Sequence, residues 1–313
     1  MPSRFAIVTG NSHPTLARAV ARELKVPLAK MEIKRFASNE IYVRLHETVR
    51  GKSVYIVQTA THNVNEDFME LFLMCDMARR SFASKVHVVM PYFGYARQDR
   101  VALPRETISA KLMADLLVTA GADHLITADL HSEQIQGFFD IPVDNIDPSK
   151  IFLQWMKKNA DLKNSVIVSV DVGGAKPAKR FADMLGLPIA VINKQRKAHN
   201  QSEVTHIVGD VEGKRCIIYD DIVDTAGSMC NAKDALLKAG AHKDMILAVT
   251  HPVLSGEAVS RLNSSGFKKI LVTDSIPLPD PAPKNVQILS LAPMLASIIE
   301  HIEEGKSVSE LYL

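Results

Sequence analysis

Several things are scarce in this 313-residue chain, and each scarcity excludes something. Cysteine occurs three times, at Cys75, Cys216 and Cys230. Three thiols cannot all pair within one chain, so a disulfide scaffold is excluded and reduced core thiols of a cytosolic protein are expected. Charge of one sign is not in excess: 37 Lys and Arg against 35 Asp and Glu leave a formal charge of +2, which implies no polyanionic partner such as nucleic acid. No apolar run approaches the roughly 18–20 residues of a membrane span, and the apolar part of the start is too short for a secretory signal. A cytoplasmic, enzyme-sized protein is the expectation. The familiar phosphate motifs are missing too. A Walker A loop needs a glycine five residues before Gly-Lys-Ser. His46 stands there for Gly51-Lys52-Ser53, and Glu300 for Gly305-Lys306-Ser307. No Gly-x-Gly-x-x-Gly and no protein-kinase signature occurs, so any use of ATP takes another route.

What is present is globular in character: 47% hydrophobic and 23% charged residues, over a length that suits two domains. Short β-branched runs recur at Phe5–Val8, Ile41–Leu45, Val54–Gln58, Val86–Met90, Leu125–Ala128, Val166–Val170, Ile189–Ile192, Cys216–Tyr219, Met245–Val249 and Lys269–Thr273. Several are continuously apolar rather than alternating, which predicts parallel strands buried on both faces. Helical patterns lie between them, so the class is α/β. One predicted helix carries an apolar stripe of Ile108, Leu112 and Leu116, widened by Met113, Leu117 and Ala120, with Gly121 as its C-cap. The halves look alike. A strand–loop–helix–strand unit at Val54–Met90 is matched by another at Cys216–Val249, which predicts two tandem domains of similar fold, each a mainly parallel sheet flanked by helices. The boundary is placed near Asp147-Pro148-Ser149, giving domains at 1–147 and 148–313. The last pattern, Pro293–Glu304, is a helix with no assigned docking partner and a candidate to join the first domain.

The most informative stretch is Ile217–Ser228, where an apolar strand ends in Asp220 and Asp221. A third carboxylate, Asp224, then precedes Thr225, Ala226, Gly227 and Ser228, and a helix follows. Bare N–H groups at a helix start favour a phosphate, and carboxylates at the strand end can accept hydrogen bonds from ribose hydroxyls. A capped strand–turn–helix is the plainer alternative, but neighbouring carboxylates repel and need a reason to coexist. Four further strings are candidates. Asp171-Val172-Gly173-Gly174 ends a strand as a tight turn suited to a metal or sugar phosphate. Asp129-Leu130-His131 ends another, with side chains two apart that could hold a divalent ion. Lys194-Gln195-Arg196-Lys197 is a basic run that could close over polyphosphate. Tyr95-Ala96-Arg97-Gln98-Asp99-Arg100 sets guanidiniums beside aromatics, a fit for base and phosphates. Taken singly, each also reads as a turn, a polar pair or a solvated loop.

Together these segments resemble the ribose-phosphate pyrophosphokinases over essentially the whole chain. The strongest piece is Asp129–Asp144; the string at 95–99, the Asp-x-Gly-Gly turn and the Asp-Asp-x-x-Asp-Thr-x-Gly-Ser loop follow the same family pattern in order. The resemblance implies two type I phosphoribosyltransferase-like domains. It also implies transfer of the β,γ-diphosphoryl group of ATP to the 1-hydroxyl of ribose 5-phosphate, Mg²⁺ dependence, and a homo-oligomer, commonly a hexamer of dimers. It places ATP against Phe36, Ser38, Asn39, Glu40, Arg97 and Gln98, with the base site completed at a subunit interface. His131 and Asp171 fall at the metal-associated positions, and Lys194 and Arg196 at the catalytic loop pair. Asp220 and Asp221 fall at the ribose carboxylates, and Asp224, Thr225, Ala226, Gly227 and Ser228 at the 5-phosphate loop. Thr48, Arg50, Arg105, Ser307 and Ser309 match the regulatory site for phosphate and ADP.

The chain departs from the family pattern in three places. Ser38 replaces an Asp or Asn, which bears on adenine selectivity. Glu133 replaces a hydroxyl-bearing residue, and Val101-Ala102-Leu103 replaces a usually polar, often basic stretch. An added carboxylate and fewer cations repel anions, so altered phosphate and ADP regulation is expected. Two other readings compete. A phosphoribosyltransferase acting on a base shares the loop at 220–228 but leaves Phe36–Glu40, Arg97-Gln98 and the duplicated architecture unexplained. A catalytically silent partner has no need of Lys194, Arg196, Asp220 and Asp171.

Overall fold

The structure, a computed structural model, describes residues 4–195 and 204–311; side chains at 194, 195, 204, 205 and 310 are outside the description. The chain forms two compact units. Unit 1 comprises Met1–Asp147, Ser275–Pro277 and Ser290–Leu313, and unit 2 comprises Pro148–Asp274 and Leu278–Leu289.

Unit 1 begins β1 (Phe5–Thr9), α1 (Pro14–Glu23), β2 (Met31–Arg35), β3 (Ile41–Leu45), β4 (Ser53–Val57), α2 (Val64–Arg80), β5 (Lys85–Val89), α3 (Ser109–Thr119), β6 (His124–Ala128) and β7 (Val143–Ile146). Its five-stranded sheet, in the order β1-β4-β5-β6-β7, is parallel throughout. Val54 to Val57 are fully buried, as a strand covered on both faces must be. β2 and β3 form a separate antiparallel hairpin, Met31 opposite Leu45 and Arg35 opposite Ile41. Its alternating Glu32 and Lys34 had concealed β2 in the apolar pattern.

Unit 2 runs α4 (Ser149–Asn159), β8 (Ser165–Ser169), α5 (Ala175–Leu185), β9 (Ile189–Gln195), β10 (Val204–Val208), β11 (Arg215–Val223), α6 (Gly227–Lys238), β12 (His242–Pro252), α7 (Ala258–Ser265), β13 (Lys269–Thr273) and β14 (Val286–Leu289). Its seven strands are ordered β10-β9-β8-β11-β12-β13-β14, and only the β9–β10 pair is antiparallel. β11 shows why central strands read as unbroken apolar runs. Ile217 and Tyr219 enter one core with Phe152, Met156 and Phe181, while Cys216 and Ile218 enter the other with Met229, Leu236, Leu247 and Phe267. Tyr219 stacks on Phe181, ring centroids 4.3 Å apart. Met229, Ala232 and Leu236 form the helical stripe that seats α6, and burying each of its two long side chains is worth about 2 kcal/mol. The last helix, α8 (Ala292–Glu303), packs on α1 within unit 1, which supplies the docking partner that the sequence had not.

One sequence expectation is reversed in detail. α3 turns Ile108, Leu112 and Leu116 outward, at 40, 52 and 39% exposure. It buries Ala110 and Ala114 together with Leu117 of the widened stripe, so the small residues let the helix pack closely while Ile108, Leu112 and Leu116 stay outside. Ala120 is its C-cap, and Gly121 follows with a φ of 107°. The cysteines are free; Cys75 and Cys216 are buried, and burial pushes both thiols up to about 12.

Candidate functional site

In unit 2 the candidate residues gather at the carboxyl ends of adjacent strands, where open α/β sheets bind ligands. After β8, Asp171 Oδ1 accepts from the Gly174 N–H at 2.9 Å, which closes the turn into α5. Gly174 is needed for its size, because a Cβ there would lie 2.9 Å from Ser169 Oγ and within 4 Å of both Asp171 and Asp220. At the end of β11, Asp220 Oδ1 accepts from the Asp221 N–H at 3.0 Å. Burial, then the negative charges of Asp221 and Asp171, hold the Asp220 carboxyl well above the usual carboxylate range. The Asp221 and Asp171 charges thus both act on the Asp220 carboxyl, and like charges kept near one another favour a ligand that relieves them.

The loop that follows turns on Ala226, whose φ of 61° is left-handed at a residue with a Cβ. A left-handed residue at a helix start is the kind of turn that forms anion-binding nests of backbone N–H groups, and the first turn of α6 carries no acidic residue of its own. Thr225 and Ser228 are exposed. What braces this loop is not legible in the local sequence pattern. Leu254 N donates to Val223 O (3.1 Å), Ser255 N to Asp224 O (3.0 Å) and Arg261 Nη1 to Thr225 O (3.0 Å).

In unit 1, Phe36, Ser38, Asn39 and Glu40 form the tip of the β2–β3 hairpin. Phe36 N donates to Glu40 O (3.0 Å) and Asn39, with a φ of 69°, donates back to Phe36 O (2.9 Å). Ser38 hydrogen-bonds to Glu40, and Arg35 donates to Asn39 Oδ1 at 3.1 Å. Phe36 leans on Tyr42 yet is 51% exposed, an open aromatic face. Arg97 and Gln98 are exposed as well, and Gln98 Oε1 accepts from Ser109 Oγ at 2.6 Å at the start of α3. Both groups are tied to the first turn of α2, the hairpin by Arg35–Glu66 and the 95–98 turn by Tyr95–Asn65. That tie was not legible, since 31 residues separate Arg35 from Glu66.

His131 is exposed just beyond β6, after Asp129 at a φ of 45°. Among the described residues no group of three or more His, Cys, Asp or Glu side chains could hold a metal unaided. Lys194 lies on β9 opposite Thr205, and Arg196 falls outside the described residues. Of the regulatory candidates, Thr48 and Arg50 share one loop, with the Arg50 guanidinium 4.0 Å over the Phe82 ring. Arg105 sits in the 101–107 turn at a φ of 74°, and Ser307 and Ser309 follow α8. All five are exposed. In place of basic residues at 101–103, the Ala102 and Leu103 N–H groups bind Glu106 Oε2 at 3.0 and 2.8 Å.

Comparison with known proteins places the chain in a family. Residues 5–121 match the N-terminal domain of ribose phosphate pyrophosphokinase, and residues 147–276 match the phosphoribosyl transferase domain. The chain is 45% identical over 308 residues to a ribose-phosphate pyrophosphokinase of Helicobacter hepaticus, covering 98% of this chain and 99% of that one. It is 46% identical over 309 residues to that of Clostridium perfringens, covering 98% and 97%. The crystal structure of a phosphoribosylpyrophosphate synthetase from Mycobacterium smegmatis superposes with a TM-score of 0.92 at 39% identity, covering 97% of this chain and all of that one. No helix among the described residues is long and apolar enough to cross a membrane.

Proposed function

The chain belongs to the ribose-phosphate pyrophosphokinase family, and from that premise we propose how its residues divide the family's reaction. The enzyme transfers the β,γ-diphosphoryl group of ATP to the 1-hydroxyl of ribose 5-phosphate and releases AMP and 5-phosphoribosyl 1-diphosphate. Such a transfer asks little covalent help of the protein; it asks for in-line positioning and charge neutralisation. The observation that carries the assignment is the β11–α6 junction, where two strand-end carboxylates precede a left-handed turn and a helix start free of acidic side chains. Asp220 and Asp221 orient the ribose hydroxyls. Asp224, Thr225, Ala226, Gly227 and Ser228 hold the 5-phosphate. The exposed Phe36 ring, with Ser38, Asn39 and Glu40, receives adenine, and Arg97 and Gln98 lie along the nucleotide. The unit built on residues 1–147, joined by α8, is the ATP side, and the unit of Pro148–Asp274 and Leu278–Leu289, rather than all of 148–313, is the ribose 5-phosphate side. Lys194 and Arg196 stabilise the charge that develops on the transferred group.

The residues present fit Mg²⁺. Burial first, and then the Asp221 and Asp171 charges, raise the Asp220 carboxyl; a hard cation relieves those charges, and Mg²⁺ needs only one or two protein ligands beside phosphates and water. Asp171 of unit 2 and His131 of unit 1 are each candidate Mg²⁺ ligands, and the ion would neutralise the phosphate charge. A cytoplasmic homo-oligomer, a hexamer built from dimers, completes the proposal. The exposed hydroxyls and guanidiniums of Thr48, Arg50, Arg105, Ser307 and Ser309 are its site for phosphate and ADP, weakened by Glu133 and Val101–Leu103.

The test incubates the purified protein with ATP, ribose 5-phosphate and Mg²⁺ and resolves the nucleotides. AMP formed only when ribose 5-phosphate is present, with a raised KM for ribose 5-phosphate in Asp221→Asn, supports the assignment. An Asp221→Asn variant with unchanged kinetics refutes it.

A further inference from the structure

Three successive carbonyls of the phosphate loop, those of Val223, Asp224 and Thr225, are all bound by one short segment further along the chain. Leu254 and Ser255 supply backbone N–H groups, and Arg261 supplies its guanidinium from α7. In a trans peptide the carbonyl and the N–H of the next residue point in opposite directions. Each carbonyl pulled toward the 254–261 segment therefore turns an N–H, those of Asp224, Thr225 and Ala226, away from it. The third contact differs from the other two because its donor is a full cation. A charged donor on a carbonyl makes a stronger bond than a neutral one and polarises the peptide, so its N–H becomes a better donor.

The guanidinium is itself fixed. Its Nη2 donates to Glu257 Oε2 at 3.2 Å, one helical turn back, while Nη1 holds the loop. Nη1 lies 3.8 Å from the point where a Cβ on Gly227 would stand, so the cation sits against the loop residue that begins α6. Cys230 Sγ also reaches the Arg261 carbonyl at 3.7 Å, which ties α6 to α7 near the same point. The Arg261 charge opposes the rise that burial imposes on the Cys230 thiol, so its field reaches the first turn of α6.

We propose that Arg261 is a positioning residue for the 5-phosphate: by holding the Thr225 carbonyl it aims the Ala226 N–H into the phosphate loop and sets a positive charge behind it. It touches the loop and leaves the phosphate itself to the N–H groups. The inference rests on the reading of Asp224–Ser228 as the 5-phosphate loop, and the experiment separates the two.

Steady-state kinetics are measured on the full-length enzyme and on Arg261→Gln, Arg261→Lys and the double variant Thr225→Ala, Ser228→Ala. Arg261→Gln is expected to raise KM for ribose 5-phosphate by about tenfold while KM for ATP stays unchanged, the loss of one charge-assisted contact. Arg261→Lys, which keeps the charge and one donor, recovers part of that loss. An unchanged KM for ribose 5-phosphate in Arg261→Gln, beside a raised one in the double variant, overturns the inference and leaves the loop reading standing. Unchanged values in both overturn the loop reading as well. An equal rise in both KM values with a lowered melting temperature marks a structural role only and also overturns the inference; should Arg261→Gln fail to fold, the same split is read from Arg261→Lys.

Discussion

Asp220 carries the energetic tension of the site in a single carboxyl. Its folded-state pKa lies above its unfolded value because of burial, Asp221 and Asp171. Such a group contributes stability that is fully present below its unfolded pKa, near 4, and that is lost as pH rises through the folded value. At neutral pH the ligand-free, metal-free protein is therefore destabilised by its own binding site. Asp220→Asn is expected to raise the melting temperature in chelator at pH 7.5 more than at pH 4.5, while it raises KM for ribose 5-phosphate. A variant equally stabilised at both pH values would show that the carboxyl is not strained. Lys194 works in the other direction, on the reacting charge. Lys194→Ala is expected to lower turnover by at least about tenfold with the fold intact, within the roughly 3 kcal/mol that one lost oxyanion donor can cost. Circular dichroism beside single-turnover rates checks this, and near-normal turnover would remove Lys194 from the mechanism. Such residues were legible because each sits in a short local string at a strand end: Asp171 in Asp-x-Gly-Gly, Asp220 to Ser228 in one run. Arg261 was not, since 36 residues separate it from Thr225 and no periodicity links them.

Elements impose their own electrostatics. Across unit 1, β4, β5 and β6 place Tyr55, His87 and His124 side by side in register. Tyr55 stacks on His87 with centroids 4.4 Å apart and donates to Glu303 of α8 at 2.8 Å. His87 Nδ1 meets His124 Nδ1 at 3.1 Å, and His124 Nε2 meets Asp144 of β7 at 3.1 Å. Burial, then His124, pushes His87 down to about 4; Lys85 acts the same way, and Asp123 and Asp144 act against it. An imidazole kept neutral in the fold contributes stability that is whole above its unfolded pKa near 6.5 and is lost as pH falls toward 4, up to about 3 kcal/mol. Urea titrations at pH 7 and pH 4.5 are expected to show most of that loss, and His87→Phe to show clearly less; an equal loss in the variant would assign the acid sensitivity elsewhere. The strands carrying this ladder were legible because both their faces are buried. β2, β7, β10 and β14 were not, because a hairpin strand or an edge strand carries polar residues that break the apolar run. α3 misled for a related reason: helical periodicity finds a face but cannot tell which side of the helix meets the sheet.

At the scale of the molecule, α8 is an element that unit 1 borrows from the far end of the chain. It buries Leu295, Ile298 and Ile299 with Ala292 and Ala296, and the three long side chains alone account for about 5–9 kcal/mol, comparable with the whole stability of a domain. A chain ending at Leu289 is expected to lose unit 1 to limited proteolysis. Emission from the single tryptophan, Trp155 of α4 in unit 2, should keep its folded wavelength. Protease resistance of residues 4–147 in that truncation would contradict the dependence. The same path of the chain sets an order on synthesis. Unit 2 is complete once Leu289 has been made, whereas unit 1, begun at the first strand, stays unfinished until α8 emerges. At ribosomal rates of about 5–20 residues per second, the α1 surface that α8 covers waits exposed for roughly fifteen to fifty-five seconds, the interval in which a nascent chain relies on chaperones.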